Sequence, residues 1–282
     1  MNILNFEDYI IPLDDWIETV VDWLVANYRS QFQLIKWPVE QTLGSIDWFL
    51  NVLPPIVVII LLALAAWRVS SWKLGVFTAV TMTFIGFLGL WEDSMTTLAM
   101  VLSAVVFCTI VGIPTGILAA RSDRFEQVIR PVLDAMQTTP AFVYLVPVVM
   151  LFSIGTVAGV IATIVFAMPP IIRLTNLGIR QTPRELVEAA VAFGATPWQV
   201  LRRVQLPLAK ATIMAGLNQT IMMSLSMVVI AALIGAGGLG VAVFQGLNSL
   251  QVGLAGIGGL AIVLLAIVLD RITQSMGKEV QK

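Results

Sequence analysis

"TPRELVEAAVAFGATPWQVLRRVQLPLA", residues 182–209, is polar, capped and helix-forming, and it lies between long apolar runs. Thr182-Pro183-Arg184-Glu185 has the form of a capping box: Thr182 can accept from the first free N–H groups, Pro183 suits the first turn, and Glu185 can reach back. Leu186, Ala189, Ala190 and Phe193 follow at helical spacing. Gly194 suits the left-handed residue that closes such a helix. Thr196-Pro197-Trp198-Gln199 repeats the capping pattern and opens a second helix, expected to end at Leu206-Pro207. The segment reads as a helix–turn–helix with one small apolar face, standing in water. Its surroundings decide what kind of protein carries it.

Of the 282 residues, 58% are hydrophobic and 12% charged. A soluble domain carries about 25% charged residues, so the composition is that of a membrane protein. The single cysteine, Cys108, sits in an apolar run, which excludes an intrachain disulfide. Histidine is absent, which removes His-based triads and His metal sites. With the acids at the edges of the apolar runs, no nucleophile–base pair is available, and no enzyme activity is expected.

A spanning helix needs about 20 mostly apolar residues. Seven runs come close, at approximately 52–67, 74–91, 95–120, 140–153, 156–172, 211–234 and 253–269. The fourth is short, and Pro140, Pro147, Pro169 and Pro170 punctuate the fourth and fifth, so flanking residues must complete them. With the N-terminus outside and the C-terminus inside, every Lys and Arg except Arg29 and Lys36 falls on the cytoplasmic side. That asymmetry is what the positive-inside rule demands. No run has a charge in its interior, so no proton relay is expected.

The first 51 residues are acidic, with Glu7, Asp8, Asp14, Asp15, Glu18, Asp22, Glu40 and Asp47. Trp16, Val20, Trp23 and Leu24 trace one helical face, and Val39, Leu43, Ile46 and Leu50 a second stripe. One or two amphipathic helices at the outer membrane surface are expected. Most of the eight tryptophans stand on this segment or at span ends, as an aromatic belt would place them.

Gly235-Ala236-Gly237-Gly238-Leu239-Gly240 fits G-x-G-x-x-G, but a membrane span precedes it and the next acid is Asp270, so it is no dinucleotide site. The glycines instead suit close backbone approach or a helix break. There is no P-loop for ATP either. Ala255-x-x-x-Gly259 suits helix packing. In the sixth run Asn218, Met222, Ser224, Ser226 and Met227 are candidates for a neutral solute path, against the simpler reading of interhelical hydrogen bonds.

Glu188-Ala189-Ala190, three residues, Gly194, nine residues, then Val204-Gln205-Leu206-Pro207 resembles the EAA signature of bacterial ABC importer permeases, with Val204 where the family has Ile. "VGIPTGILAARS" (111–122), "QTTPAFVYLVPVVMLF" (137–152), "FAMPPIIRLTNLGIRQTP" (166–183) and "LIGAGGLGVAVFQGL" (233–247) are similar to the membrane subunit of glycine betaine/proline-type importers. The resemblance implies an all-α polytopic inner-membrane protein of the type I ABC importer (MetI-like) fold. In that frame 1–51 is the external segment, 52–94 two accessory transmembrane helices, and 95–270 the five-helix core with coupling loop 173–210. Residues 271–282 form a cytoplasmic tail.

The same resemblance implies the function and partners. The loop would dock on a cytoplasmic ABC ATPase through Glu188, Ala189, Ala190, Gly194, Leu206 and Pro207. ATP and Mg would be bound by that partner and no cofactor by this chain. A solute-binding protein would deliver the solute, a second permease copy would complete the pore as a homodimer, and no nucleic acid is involved. The solute would be glycine betaine, proline betaine or a related quaternary amine. Choline, methionine or a sulfonate on the same importer class, and a secondary carrier without ATPase, are the alternatives. A carrier would show inverted repeats, which the chain lacks.

Overall fold

The structure is a computed structural model that describes residues 12–278, and every regular element among them is helical. Glu7 and Asp8 of the acidic stretch lie outside the described residues, as do the last four residues of the tail. Helix α1 (Leu13–Val52) is one unbroken helix of 40 residues, where one or two surface helices were expected. Its first half is exposed at Trp16, Val20 and Trp23, as an interfacial helix requires. Its second half is not a surface element. Val39, Leu43 and Leu50 are buried in the main core, and Phe32 meets Phe152 edge-on with ring centroids 5.8 Å apart. The stripe read from the sequence is therefore packed against protein.

From Ser30 onward α1 meets α2 (Pro55–Val69) at an angle of 111° across Leu53-Pro54. Helix α3 (Trp72–Phe87) returns beside α2, with Ser71 accepting from the Leu74 N–H to cap it. The two cross closely: a Cβ at Gly75 would stand 2.9 Å from the Ala63 carbonyl oxygen. At 15 and 16 residues, each is roughly 23 Å long, short of the roughly 30 Å apolar thickness of a bilayer.

The centre of the molecule is α4 (Trp91–Arg121), α7 (Thr156–Arg180) and α10 (Leu206–Ala231), with α12 (Val252–Lys278) packed on α10. Small residues let these backbones approach. A Cβ on Gly116 of α4 would lie 2.7 Å from the Ile172 carbonyl oxygen of α7, so glycine fits there and alanine does not. Pro169 and Pro170 sit inside α7 without ending it.

Helix α5 (Asp123–Thr138), in the stretch between the third and fourth apolar runs, is a capped amphipathic helix. Ser122 accepts from the Phe125 N–H. Across a break it meets α6 (Leu145–Phe152) at 107°, and the pair completes the short fourth run. Its acids explain how charged residues enter α7: Asp134 pairs with Arg173, while Asp123 and Glu126 stand 2.7 and 3.0 Å from Arg180. Arg173 and Arg180 thus belong to a helix, and the polar loop placed at 173–210 begins only at Gln181.

Four helical stretches are long and apolar enough to cross a bilayer alone: α4, α7, the Pro197–Ile234 stretch that contains α10, and α12. Counting each bent pair as one span gives six among the described residues. The sequence offered seven runs; the difference lies in the short α2–α3 hairpin. Helix α11 (Leu239–Asn248), between α10 and α12, completes the fold.

Candidate functional site

The elbow between α7 and α10 is built from two short helices. In α8 (Arg184–Ala192) Pro183 occupies the N-cap and no side chain caps the helix. The expected Thr182–Glu185 box is absent because the helix starts one residue later than the motif needs. Thr182 is buried instead, and its hydroxyl has no partner. The C-terminal end behaves as the sequence implies. Gly194 is left-handed at φ 80°, its N–H bonds to the Val191 carbonyl (2.9 Å), and the Ala195 N–H bonds to that of Ala190 (3.0 Å). Those two bonds define a Schellman motif.

The second box is present in full. The Gln199 N–H donates to Thr196 Oγ1 (3.4 Å) and the Thr196 N–H to Gln199 Oε1 (2.8 Å). It opens α9 (Pro197–Val200), which was expected to end at Leu206-Pro207 and does not. The chain passes through a π-helical turn, Leu201–Gln205, straight into α10. In that turn the Leu206 N–H reaches back to the Leu201 carbonyl. The wider ladder accommodates Pro207, which has no N–H to give. Elbow and span are one continuous lever.

The base of the elbow is fixed and its tip is bare. Ile179, Leu201 and Ala209 form a small core with Ile117, Ala120 and Leu206. The Arg121 Nη2 donates to the Pro197 carbonyl (3.2 Å). Above this, Glu188, Ala189, Gly194 and Pro207 are exposed and Ala190 and Leu206 half-buried. Phe193 is 93% exposed, with Leu186, Val191 and Trp198 also uncovered. So much bare apolar surface on a polar element marks an interface. Glu188, Arg184, Thr182 and Gln205 also border a cavity of about 220 Å³ between the elbow and the helix ends.

On α10 the five path candidates do not share one face. Met222 is half-buried and Ser226 exposed, with the Ser226 hydroxyl donating to the Met222 carbonyl (3.1 Å). Ser224 and Met227 are fully buried within the protomer, Ser224 donating to the Thr220 carbonyl (2.8 Å). Asn218 Nδ2 donates to Asp270 Oδ1 on α12 (2.9 Å), and Gln274 Nε2 donates to both Asp270 oxygens (2.7 and 2.8 Å). Sequence reading missed Asp270 because it ends its apolar run, although the four-residue spacing to Gln274 on one helical face was there to see.

The glycine run at 235–240 is a tight turn pinned from two sides. The Leu239 N–H donates to Thr97 Oγ1 (2.8 Å) and the Gly237 N–H to Thr156 Oγ1 (3.3 Å). Gly235 and Gly238 have φ of 75° and 89°. These are packing and turn roles, not those of a nucleotide cradle. No group of three or more Cys, Asp or Glu among the described residues is placed to hold a metal ion.

The profile of the binding-protein-dependent transport system inner membrane component matches residues 112–282, which take in α7, the elbow, α10 and α12. The chain belongs to that family. It is 54% identical over 279 residues to the glycine betaine/proline betaine transport system permease protein ProW of Escherichia coli, covering 99% of this chain and 79% of that protein. It is 46% identical over 273 residues to the glycine betaine/carnitine transport permease protein GbuB of Listeria monocytogenes, covering 95% and 96%. A solved structure of the MetNI methionine ABC transporter, in an inward-facing conformation, superposes with a TM-score of 0.62 at 24% identity over 71% of this chain and 98% of that one. That likeness speaks for the fold. The chain is thus a permease subunit of an ABC importer in the inner membrane. It carries out no catalysis, and ATP hydrolysis belongs to a separate partner. An ATPase, a solute-binding protein and a dimeric arrangement come with the family.

Proposed function

We propose that two copies of this chain form the pore that admits glycine betaine, proline betaine or a related quaternary-amine solute. ATP and Mg bind to the partner ATPase rather than to this chain. The observation that carries the solute assignment is the 54% identity to ProW, sustained over nearly the whole chain. Glycine betaine, proline betaine and carnitine, the solutes in the relatives' names, are all quaternary ammonium compounds.

The elbow is the coupling element. It stands in the cytosol on the same side as the C-terminus, and the N-terminus outside takes α2 and α3 as two separate crossings, seven in all. That orientation rests on the positive charge gathered at the elbow's end of the spans. Phe193 and its exposed apolar neighbours enter the ATPase, while Glu188 and Gly194 set the edge and the turn of the docking face. Because α9 runs into α10 without a joint, a displacement of the elbow moves the span. The five path candidates reduce to the stripe Asn218, Met222 and Ser226, which recurs every fourth residue and falls on one side of α10.

The test is uptake in proteoliposomes that contain the permease, its ATPase and its binding protein. ATP-dependent accumulation of glycine betaine is expected, and methionine should not compete. Methionine uptake without betaine uptake would reject the assignment. Co-purification tests docking: Glu188→Arg or Phe193→Asp should release the ATPase, and retention by both variants would reject the elbow as the docking element.

A further inference from the structure

The bend between α5 and α6 falls level with the middle of a span. Tyr144, in the 3₁₀ turn Ala141–Tyr144 that leads into α6, meets Phe166 of α7 with ring centroids 6.1 Å apart. Phe166 stands 10 residues from the outer end of α7 and 14 from its inner end. At 1.5 Å per residue that is roughly 15 Å from one side and 21 Å from the other. The turn packs on α10 as well as on α7.

At that depth the backbone is left open. Of the last four carbonyls of α5, that of Ala135 accepts from the Thr139 N–H (3.1 Å) and that of Met136 from the Tyr144 hydroxyl (2.6 Å). Among the described residues no hydrogen bond reaches the carbonyls of Gln137, Thr138 or Thr139, and none leaves the N–H groups of Ala141 and Phe142. Nor does the protomer cover this stretch: Gln137, Thr138, Pro140 and Phe142 are all exposed. Lipid cannot satisfy such groups, and irregular backbone at membrane depth is tolerated only inside protein or along a water-filled cavity. One turn earlier on α5, Asp134 pairs with Arg173 of α7, and the two side chains are 55% and 38% exposed. Charges this far along a span face water. The pair borders a cavity of about 360 Å³ together with Glu126, Arg130, Asn176 and Arg180, a polar approach toward the break from the elbow's end of α7.

The break offers unpaired carbonyl oxygens, two backbone N–H groups, the exposed Gln137 amide and one ring, Phe142, 60% exposed. No residue from Ala135 to Val146 carries a charge. A simple cation or a simple anion uses half of that set. A betaine uses all of it. Its ammonium, covered by methyl groups and without an N–H to donate, is satisfied by a ring face and carbonyl oxygens, and its carboxylate by N–H donors. We propose that the α5–α6 break lines the pore and that Phe142 receives the quaternary ammonium head of the solute as it passes. Every contact there is made by a partial charge, so the head group is guided and released rather than trapped.

The inference rests on the proposed quaternary-amine reading, and two measurements separate their failures. Absence of betaine uptake by the unaltered transporter would reject that reading itself. The break is probed independently of any solute by Thr138→Cys in the assembled transporter, since Thr138 is exposed and the native Cys108 is buried. A trimethylammonium-bearing methanethiosulfonate should label that cysteine at least about tenfold faster than Ile60→Cys on the apolar, exposed face of α2, because the reactive thiolate forms in water and not in hydrocarbon. Equally slow labelling at the two positions would mean that lipid or the second copy seals the break, and would overturn the proposal. In uptake, normalised to assembled transporter, Phe142→Leu keeps apolar bulk but removes the ring face and should lower betaine transport about tenfold, whereas Phe142→Trp should restore it to within about threefold. Native uptake by Phe142→Leu would show that the ring face is not used. Equal loss in Phe142→Leu and Phe142→Trp would make Phe142 a packing residue, and either result overturns its role.

Discussion

At both ends of α10 the chain turns on left-handed glycines, set in opposite surroundings. Around Gly194, in the elbow, nothing lies within 4 Å of where a Cβ would stand. Around Gly238, at the far end, a Cβ would meet Thr97 Oγ1 at 2.5 Å, and at Gly240 the Val228 carbonyl oxygen at 2.8 Å. The first glycine is required by backbone conformation alone and leaves a bare face, Phe193 beside it. The second is required by conformation and space together, and it locks α10 to α4. A span pinned by its glycine turn at one end, and carrying at the other an elbow whose base is packed but whose tip is bare, is suited to being moved through that tip.

The largest effect should come from attacking the locked end. Gly238→Val combines a left-handed φ with a clash against Thr97, and each costs about 1–3 kcal/mol. The expected outcome is loss of folded protein, read as collapse of the monodisperse peak in detergent. A Gly238→Val protein with an unchanged melting temperature would mean the turn is not the anchor.

The π turn supplies the next test. Deleting Arg203, exposed within it, should let Leu201–Gln205 close as ordinary α-helix and rotate the elbow by roughly 100° about the α10 axis. Betaine uptake should then fall at least about tenfold, and the melting temperature should shift by a few degrees at most. If uptake survives, the elbow does not need a fixed rotational setting on the span.

Smaller again is Gly194→Ala. With open space around it, the cost is the left-handed backbone alone, about 1 kcal/mol. ATPase retention should weaken while the permease stays folded. A loss of stability as large as that of Gly238→Val would erase the distinction between the two ends.

What the residues disclosed in advance follows from how local each device is. The second capping box, the Schellman glycine and the membrane class depend on neighbours in sequence, and they were readable. The Thr182 cap failed because Pro183 took the N-cap position, a shift of one residue. Continuation of the helix through Pro207 could not be read, because proline signals an end and the widened turn that rescues it leaves no composition mark. Helix α5 was hidden by its charges, which answer Arg173 and Arg180 about 40–60 residues away. The narrowing of the proposed solute path was within reach: a spacing of four keeps Asn218, Met222 and Ser226 together, and Ser224 and Met227 fall on another side. What stayed out of reach were the partners chosen by tertiary packing.

Phe193 gives the smallest effect on the fold and the sharpest test of the comparison. At 93% exposure its ring contributes almost nothing to the permease's own core. Phe193→Ser should therefore leave the melting temperature of the isolated permease unchanged, within the roughly 0.5 kcal/mol typical of surface sites. The same ring, if it fills a cleft on the ATPase, is the kind of aromatic anchor whose loss costs about 2 kcal/mol or more in an interface. The two numbers separate by more than tenfold in affinity, which a pull-down titration with the purified ATPase resolves. An unchanged affinity would leave the bare end of α10 without a purpose for its bareness. An unstable Phe193→Ser permease would mean that the elbow is packed like the glycine turn after all.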